Sequence, residues 1–240
     1  MLISQAIFHP NSCESLDQLR WAAGDNLYGH HQLLWTLFPG FERGKYSFLF
    51  HKLTGTSGPN GQRGLTFFIL SKDRPMSDLP WWSISTKSYA PKIEAGDVFQ
   101  FRLRANPTVS KPSGRKNKKG KDVSARHDVI MHRKKIEKLD GRPVDELTPM
   151  GILIQEEGLK WLLSRGTRNG FEVIPSQTVV QAYQQHDFGK TGRSAGMSLR
   201  LSTLEFEGVL NVIDADLFSK SLIAGVGPAK GFGCGLLLVK

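Results

Sequence analysis

Tyr28 and His31 stand three residues apart in the segment Asn26-Leu27-Tyr28-Gly29-His30-His31-Gln32-Leu33-Leu34-Trp35 and are the first residues whose types suggest chemistry. Positions three apart on a helix are neighbours, and an imidazole that titrates near neutrality beside a phenol can act as a general acid/base pair. A structural hydrogen bond at the core margin explains the same pair. A second candidate closes the chain, where Gly225, Gly227, Gly231, Gly233 and Gly235 surround Lys230. Backbone N–H groups at Gly227 and Gly231, together with Lys230, could cradle phosphates. A glycine-rich turn into a last strand is the plainer reading. The segment lacks the Gly-Lys-Ser/Thr of a Walker A loop and does not follow an early strand as a Rossmann fingerprint would.

The remaining candidates are cations. The strand-like run Val98 to Ala105 alternates so that Phe99, Phe101, Leu103 and Ala105 share one face, while Gln100, Arg102 and Arg104 form a cationic outer face. Lys190 and Arg193 sit in a polar loop between Gln184 and Gly196. Each of these, with Lys230, is a candidate contact for a polyanion, against the alternative of an inert solvated face. The net charge of +10 is concentrated: Lys111 to Arg142 carries 12 Lys and Arg against 4 acids, leaving the remainder almost balanced. A localised basic block on a balanced chain is the footprint of a polyanion partner.

Other chemistries are poorly served. Apart from the adjacent His30 and His31, only His127 and His132 of the seven histidines lie near each other, five apart, with no HExxH pattern, and Cys13 and Cys234 have no CxxC spacing. No metal site and no small-molecule cofactor is expected. Two distant cysteines suit a reducing compartment, and no apolar run is long enough for a signal peptide or membrane span, so a cytoplasmic protein without a membrane partner is expected.

These residues must be positioned by a recognisable order of elements. Leu2 to Phe8 reads as a strand, Asn11 to Gly24 as a polar connection, and a helix capped by Asp25 or Asn26 runs to about Phe38 before Pro39-Gly40. At about 100° per residue its apolar arc holds Leu27, Leu33, Leu34, Trp35, Leu37 and Phe38. Gly29, Gln32 and Thr36 lie opposite, His30 falls mid-arc, and His31 with Tyr28 falls at the Trp35 edge. Tyr46 to Leu53 and Leu65 to Leu70 form a hairpin around the turn-rich residues 54–61, and a fourth strand is expected near Ser83 to Tyr89, with room for a short helix before it.

In the second half, Thr108 to Arg126 is expected to be mobile until an anion orders it. A helix from Gly151 ends near Arg165-Gly166, strands follow at Phe171 to Ile174 and Thr178 to Tyr183, and a long strand Met197 to Ile213 carries a bulge near Ser202-Thr203. Asp214 caps a last helix that delivers the chain into the glycine loop and final strand. Each half reads β-α-β-β-α-β. The expectation is an α+β protein of tandem ferredoxin-like (RRM-like) βαββαβ domains, residues 1–95 with the Tyr28/His31 helix and residues 96–240 with the basic insertion and glycine-rich loop.

Three ordered blocks carry a family resemblance: Asn26 to Trp35, Phe101-Arg102-Leu103-Arg104-Ala105-Asn106-Pro107, and Phe206-Glu207-Gly208-Val209-Leu210 followed by Gly225 to Leu238. Across nearly its whole length the chain resembles the CasE family, the repeat-processing endoribonuclease subunit of the type I-E CRISPR complex Cascade. The resemblance implies two ferredoxin-like domains, metal-independent cleavage of precursor CRISPR RNA at the 3′ base of a repeat hairpin, and partnership with that RNA and with other Cascade subunits. The family's Tyr-x-x-His pair falls on Tyr28 and His31. The basic connection after Pro107 is longer here than in shorter members. A non-catalytic RNA-hairpin-binding module with a structural Tyr28 and His31 is the rival from another class; a phosphate-ligand enzyme built on the glycine loop would need an acidic or metal-binding constellation.

Overall fold

The computed structural model describes residues 1–23, 27–44, 47–53, 65–117, 119–189 and 198–240. By contacts the chain forms two compact units, Met1–Ile93 with Ser219–Leu236, and Glu94–Phe218 with Leu237–Lys240. The glycine loop therefore groups with the first unit, although it lies in the last part of the sequence.

The first unit contains β1 (Leu2–Phe8), α1 (Leu16–Ala22), α2 (Leu27–Trp35), β2 (Leu49–Leu53), β3 (Leu65–Ser71) and β4 (Trp82–Ser88). Its sheet runs β2-β3-β1-β4 with every pairing antiparallel. Alternation along β1 turns Ser4, Ala6 and Phe8 inward. There Ala6 pairs with Phe67 on one side and Ile84 on the other, so a small side chain at the centre makes room for large ones. The core joins Ala6, Phe8, Phe67, Ile69 and Trp82 of the sheet to Leu33, Leu34, Leu37 and Phe38 around α2. Each fully buried Leu or Phe stabilises the unit by about 1.5–3 kcal/mol.

Several expectations change here. The polar connection Asn11 to Gly24 contains the helix α1, whose Ser15 side chain accepts the Gln18 N–H as an N-cap. Because α1 packs on α2, α2 is covered on more than its apolar arc, and Gly29 is buried rather than facing solvent. The helix ends at Trp35, after which Thr36, Leu37 and Phe38 each donate to the carbonyl three residues back and tighten the exit. Among the described residues no helix lies between β3 and β4, where the sequence left room for a short one. The proposed Asp25 or Asn26 cap, Tyr46 and the 54–61 turn lie outside the described residues.

The second unit repeats the topology. Its sheet runs β11 (Leu237–Val239), β5 (Val98–Ala105), β10 (Ser198–Val212) and β8 (Phe171–Val173), with β9 (Val179–Gly189) also paired to β10. Counting β5, β8, β10 and β11 as first to fourth gives the same order as in the first unit, the arrangement of a ferredoxin-like fold. β10 is long enough to pair β9 along its first part and β8 near its end, and its register shifts between Thr203 and Glu205, where the sequence called for a bulge. Between β5 and β8 lie α3 (Val129–Leu139) and α4 (Met150–Arg168), and Asp214 caps α5 (Ala215–Ala224) through the Leu217 N–H.

The basic connection is ordered, contrary to expectation. Thr108–Lys116 and Asp122–Asp128 pair as an antiparallel ribbon, β6 and β7, with a register shift between Pro112 and Arg115. Most of its residues are exposed, because a strand pair so poor in apolar side chains has nothing to bury. Its anchor is Asp128. One carboxylate oxygen accepts the Met131 N–H and caps α3, and the other accepts the Tyr183 hydroxyl of β9 at 2.8 Å. Burial and then the Asp128 charge push the Tyr183 phenol well above its usual value, so it stays a donor. Asp128→Ala is expected to lower stability by about 1–3 kcal/mol, since it removes a cap and strands a partly buried hydroxyl, whereas Asp128→Asn, which can still cap, loses less. Thermal unfolding of both variants checks this.

Candidate active site

The site grows from α2. Helical phase sends His30 into the core, where it is fully buried and meets Phe67 edge-on at 5.5 Å. Tyr28 remains half exposed. His31 lies between them in depth, set in an aromatic frame: its ring stacks parallel to Phe50 of β2 at 6.2 Å and lies 5.7 Å from Phe48 and 6.0 Å from Trp35. Its ring hydrogen bond runs to Trp35, whose indole Nε1–H donates to His31 Nε2 at 3.0 Å.

Charge completes the frame. The Arg43 guanidinium sits over the Trp35 ring, 5.4 Å from its centroid, and donates to Gln32 Oε1. Burial first, and the Arg43 charge second, lower the His31 pKa to about 4. The near-neutral titration assumed for an acid/base histidine is thus corrected for the free protein: His31 is a neutral imidazole at pH 7.

The glycine loop closes over this ring. Val226 donates to the Gly235 carbonyl at 2.8 Å, and Gly225, Gly227, Ala229, Gly233 and Gly235 take left-handed φ angles. Packing explains two glycines. A Cβ at Gly225 would stand 2.9 Å from the Leu49 side chain, and one at Gly233 2.8 Å from the Phe50 ring, so the loop lies tight against β2. Gly231 differs, because it has no left-handed φ and its Cβ would make ordinary contact, 3.5 Å from His31 Cε1. Lys230, half-buried, opens the short 3₁₀ turn Lys230–Phe232 beside it. The plain turn and the candidate site are therefore the same loop, with different glycines serving each.

The other cations fare differently. Arg104 is buried and paired with Glu205, not outward as the alternation implied, because both faces of β5 are covered at Leu103, Arg104 and Ala105. Burial raises the Glu205 carboxyl against the pull of Arg104. Arg102 stays partly exposed but pairs with Glu207 at 3.0 Å. Lys190 and Arg193 lie outside the described residues. His127 and His132, loosely near in sequence, bring their rings to 5.8 Å, and desolvation followed by Lys111, His127 and Lys135 lowers the His132 pKa.

Sequence reasoning missed Trp35 and Arg43. Trp35 was legible as the residue one helical turn beyond His31, but counted only as core. Arg43 arrives from beyond Pro39-Gly40, and no periodicity connects it to the helix.

Two ferredoxin-like units, the first presenting an aromatic-framed histidine beneath a glycine loop and the second a basic ribbon, define a tandem ferredoxin-like protein. The chain belongs to the CRISPR associated protein family, whose sequence model matches residues 1–240. Its relatives bear out the CasE resemblance. The CRISPR system Cascade subunit CasE of Escherichia coli strain K12 is 29% identical over 212 residues, covering 88% of this chain and 90% of the relative. The CRISPR-associated endoribonuclease Cse3 of Thermus thermophilus is 28% identical over 169 residues, covering 67% and 68%. Among solved structures, Thermus thermophilus Cse3 bound to an RNA representing a pre-cleavage complex superposes with a TM-score of 0.63 at 21% identity over 100% of this chain and 98% of that one. The Cas6e protein of Escherichia coli K-12 gives 0.55 at 25% identity over 100% and 98%. No helix among the described residues is long and apolar enough to cross a membrane.

Gly233→Ala is expected to destabilise by about 1–3 kcal/mol through overpacking on Phe50, while Gly231→Ala leaves thermal unfolding unchanged. The neutral ring also has a pH signature. His31 contributes fully to stability above its unfolded pKa of about 6.5, and that contribution is lost as pH falls toward about 4, so His31→Gln should lose less stability than wild type over that window.

Proposed function

We propose that this chain is a metal-independent endoribonuclease that binds the CRISPR repeat hairpin, cleaves precursor CRISPR RNA at the 3′ base of that hairpin, and remains bound as a Cascade subunit. The observation that carries the reading is the neutral His31, framed by aromatic rings at the Gly231 edge of the glycine loop that also carries Lys230, with the Arg43 charge acting on it. RNA brings its own nucleophile, so such a site has little to supply beyond proton transfer and charge stabilisation. The 2′-oxygen attacks the adjacent phosphorus in line, and the P–O5′ bond breaks. The 2′-OH proton leaves to a base, and O5′ takes up a proton, giving a 2′,3′-cyclic phosphate and a 5′-OH with no net consumption of water. His31 and Tyr28 are the groups assigned to these transfers. A bound phosphodiester places negative charge beside His31 and raises its pKa from about 4 toward the working range.

The hairpin is assigned to the cationic surface of the second unit and to Lys230 with the Gly227 and Gly231 backbone. RNA stems hide their base edges in a deep, narrow groove, so phosphate contacts and shape carry recognition. The β6/β7 ribbon and α3 supply Lys111, Arg115, Lys116, Arg126, Lys134 and Lys135. Arg102 contributes only if it exchanges Glu207 for phosphate, and the pairing of Arg104 argues against its taking part. The cytoplasm, where precursor transcripts are made and buried Cys13 and Cys234 stay reduced, is the compartment this reading requires.

A labelled repeat RNA tests the reading. Cleavage should survive excess EDTA and vanish when a 2′-deoxy nucleotide occupies the cut site; a chelator-sensitive reaction would sink the assignment. His31→Ala should slow single-turnover cleavage by about 10²- to 10⁴-fold with little change in hairpin Kd. His30→Ala should act on stability and cleave once folded. A His31→Ala variant that cleaves normally favours the rival, a hairpin-binding module in which the aromatic frame is only structural. Affinity should fall with salt at a log-log slope of roughly −0.7 to −0.9 per phosphate contact, and neutralising two ribbon lysines should flatten that slope. An unchanged slope would remove the ribbon from the RNA interface.

A further inference from the structure

His31 has two ring nitrogens, and which of them holds the proton of the neutral ring decides what it can offer. The indole N–H is a donor only, so a nitrogen that accepts from it must carry a lone pair. We propose that Trp35 is a positioning residue that fixes the resting His31 as the Nδ1–H tautomer, with Nε2 committed to the indole and Nδ1–H left as the nitrogen that can meet substrate. The 3.0 Å Trp35 Nε1 to His31 Nε2 bond spans one helical turn, the spacing that stacks two side chains on one face.

Three further contacts keep that bond in place. Trp35 is nearly buried, edge-on to Phe48 at 5.3 Å, with Arg43 over its face and Arg43 itself tied to Gln32. The imidazole lies parallel to Phe50 and has the Gly231 backbone at its Cε1 edge, so a ring flip, which would put Cε1 where Nε2 accepts from the indole, would have to displace aromatic neighbours. The titratable groups on the elements around the ring are Tyr28 and His30 on α2, Glu42 and Arg43 before β2, His51 and Lys52 on β2, and Lys230 on the loop.

The bond also sets how readily the ring takes a second proton. Imidazolium carries N–H at both nitrogens, so protonation turns the Trp35–His31 bond into two opposed donors. Trp35 thus works with burial and Arg43 to keep His31 neutral until substrate charge arrives. The inference rests on the reading of His31 as a proton-transfer group only for its consequence in cleavage; the tautomer is a property of the free protein.

Nitrogen-15 NMR of histidine-labelled free protein, with the His31 signals identified by their loss in His31→Gln, reads the tautomer directly. Wild type should show an unprotonated Nε2 and a protonated Nδ1. Trp35→Phe keeps an aromatic ring and removes the donor; it should move the population toward Nε2–H and raise the His31 titration by roughly 0.5 to 1 pH unit, the worth of one neutral hydrogen bond. The limb of the single-turnover pH–rate profile that reports His31 should move upward in the same variant. An Nε2–H tautomer in wild type overturns the proposal whatever Trp35→Phe does. So does a folded Trp35→Phe with unchanged tautomer and titration. If the tautomer is as stated while His31→Ala cleaves RNA normally, the catalytic reading fails and the positioning stands.

Discussion

Everything at the candidate site depends on burying one face of a nine-residue helix against an aromatic layer of the first sheet. A helix that short is marginal alone, so its geometry comes from what it packs on. Leu33, Leu34, Leu37 and Phe38 fasten α2 to Phe8, Phe67 and Ile69, and Phe48 and Phe50 extend the same layer under His31. Because interiors of this kind are close-packed, the imidazole is held by contacts on several sides and not by one hydrogen bond. Its depressed pKa is a consequence of the same burial.

The fate of the cations follows a related rule. An arginine entering a covered strand must bring a counter-charge, and Arg104 does so with Glu205, while Arg102 takes Glu207 across the same β5/β10 pair. Glutamates on β10 thereby satisfy the cations that alternation seemed to offer to an RNA. Glu137, buried in α3, does the same locally: it accepts from Thr148 and pairs with Arg133 and Arg142. The cationic side chains left for a polyanion are those on surfaces with no core beneath them, above all the β6/β7 ribbon.

Much of this was legible in the sequence, for physical reasons that also explain the failures. Strands β1 and β5 match their expected limits because period-two alternation and flanking turn residues coincide there. The depth of His30 relative to His31 came from helical phase alone. Elements with little apolar content were missed: α1 reads as a polar connection, β6/β7 as a mobile segment and the second half of β9 as a polar loop. Their order comes from backbone pairing and from Asp128 and Ser15, which are single polar residues and leave no periodic trace. The Arg104 error has another cause. Alternation identifies two faces of a strand but cannot reveal that both are covered.

The glycine loop shows why a local motif could not be interpreted locally. Read by itself it offers five places where a backbone can approach something, with no means of telling protein from ligand. In the fold, Gly225 and Gly233 are consumed by Leu49 and Phe50, and the left-handed turns at Gly227, Ala229 and Gly235 are consumed in folding the loop back on itself. Gly231 is neither left-handed nor crowded, so neither backbone strain nor packing accounts for a glycine there. Its remaining distinction is its place at the Cε1 edge of His31, where a side chain would occupy the approach to the imidazole. The glycine that the fold does not require is the one that adjoins the candidate chemistry.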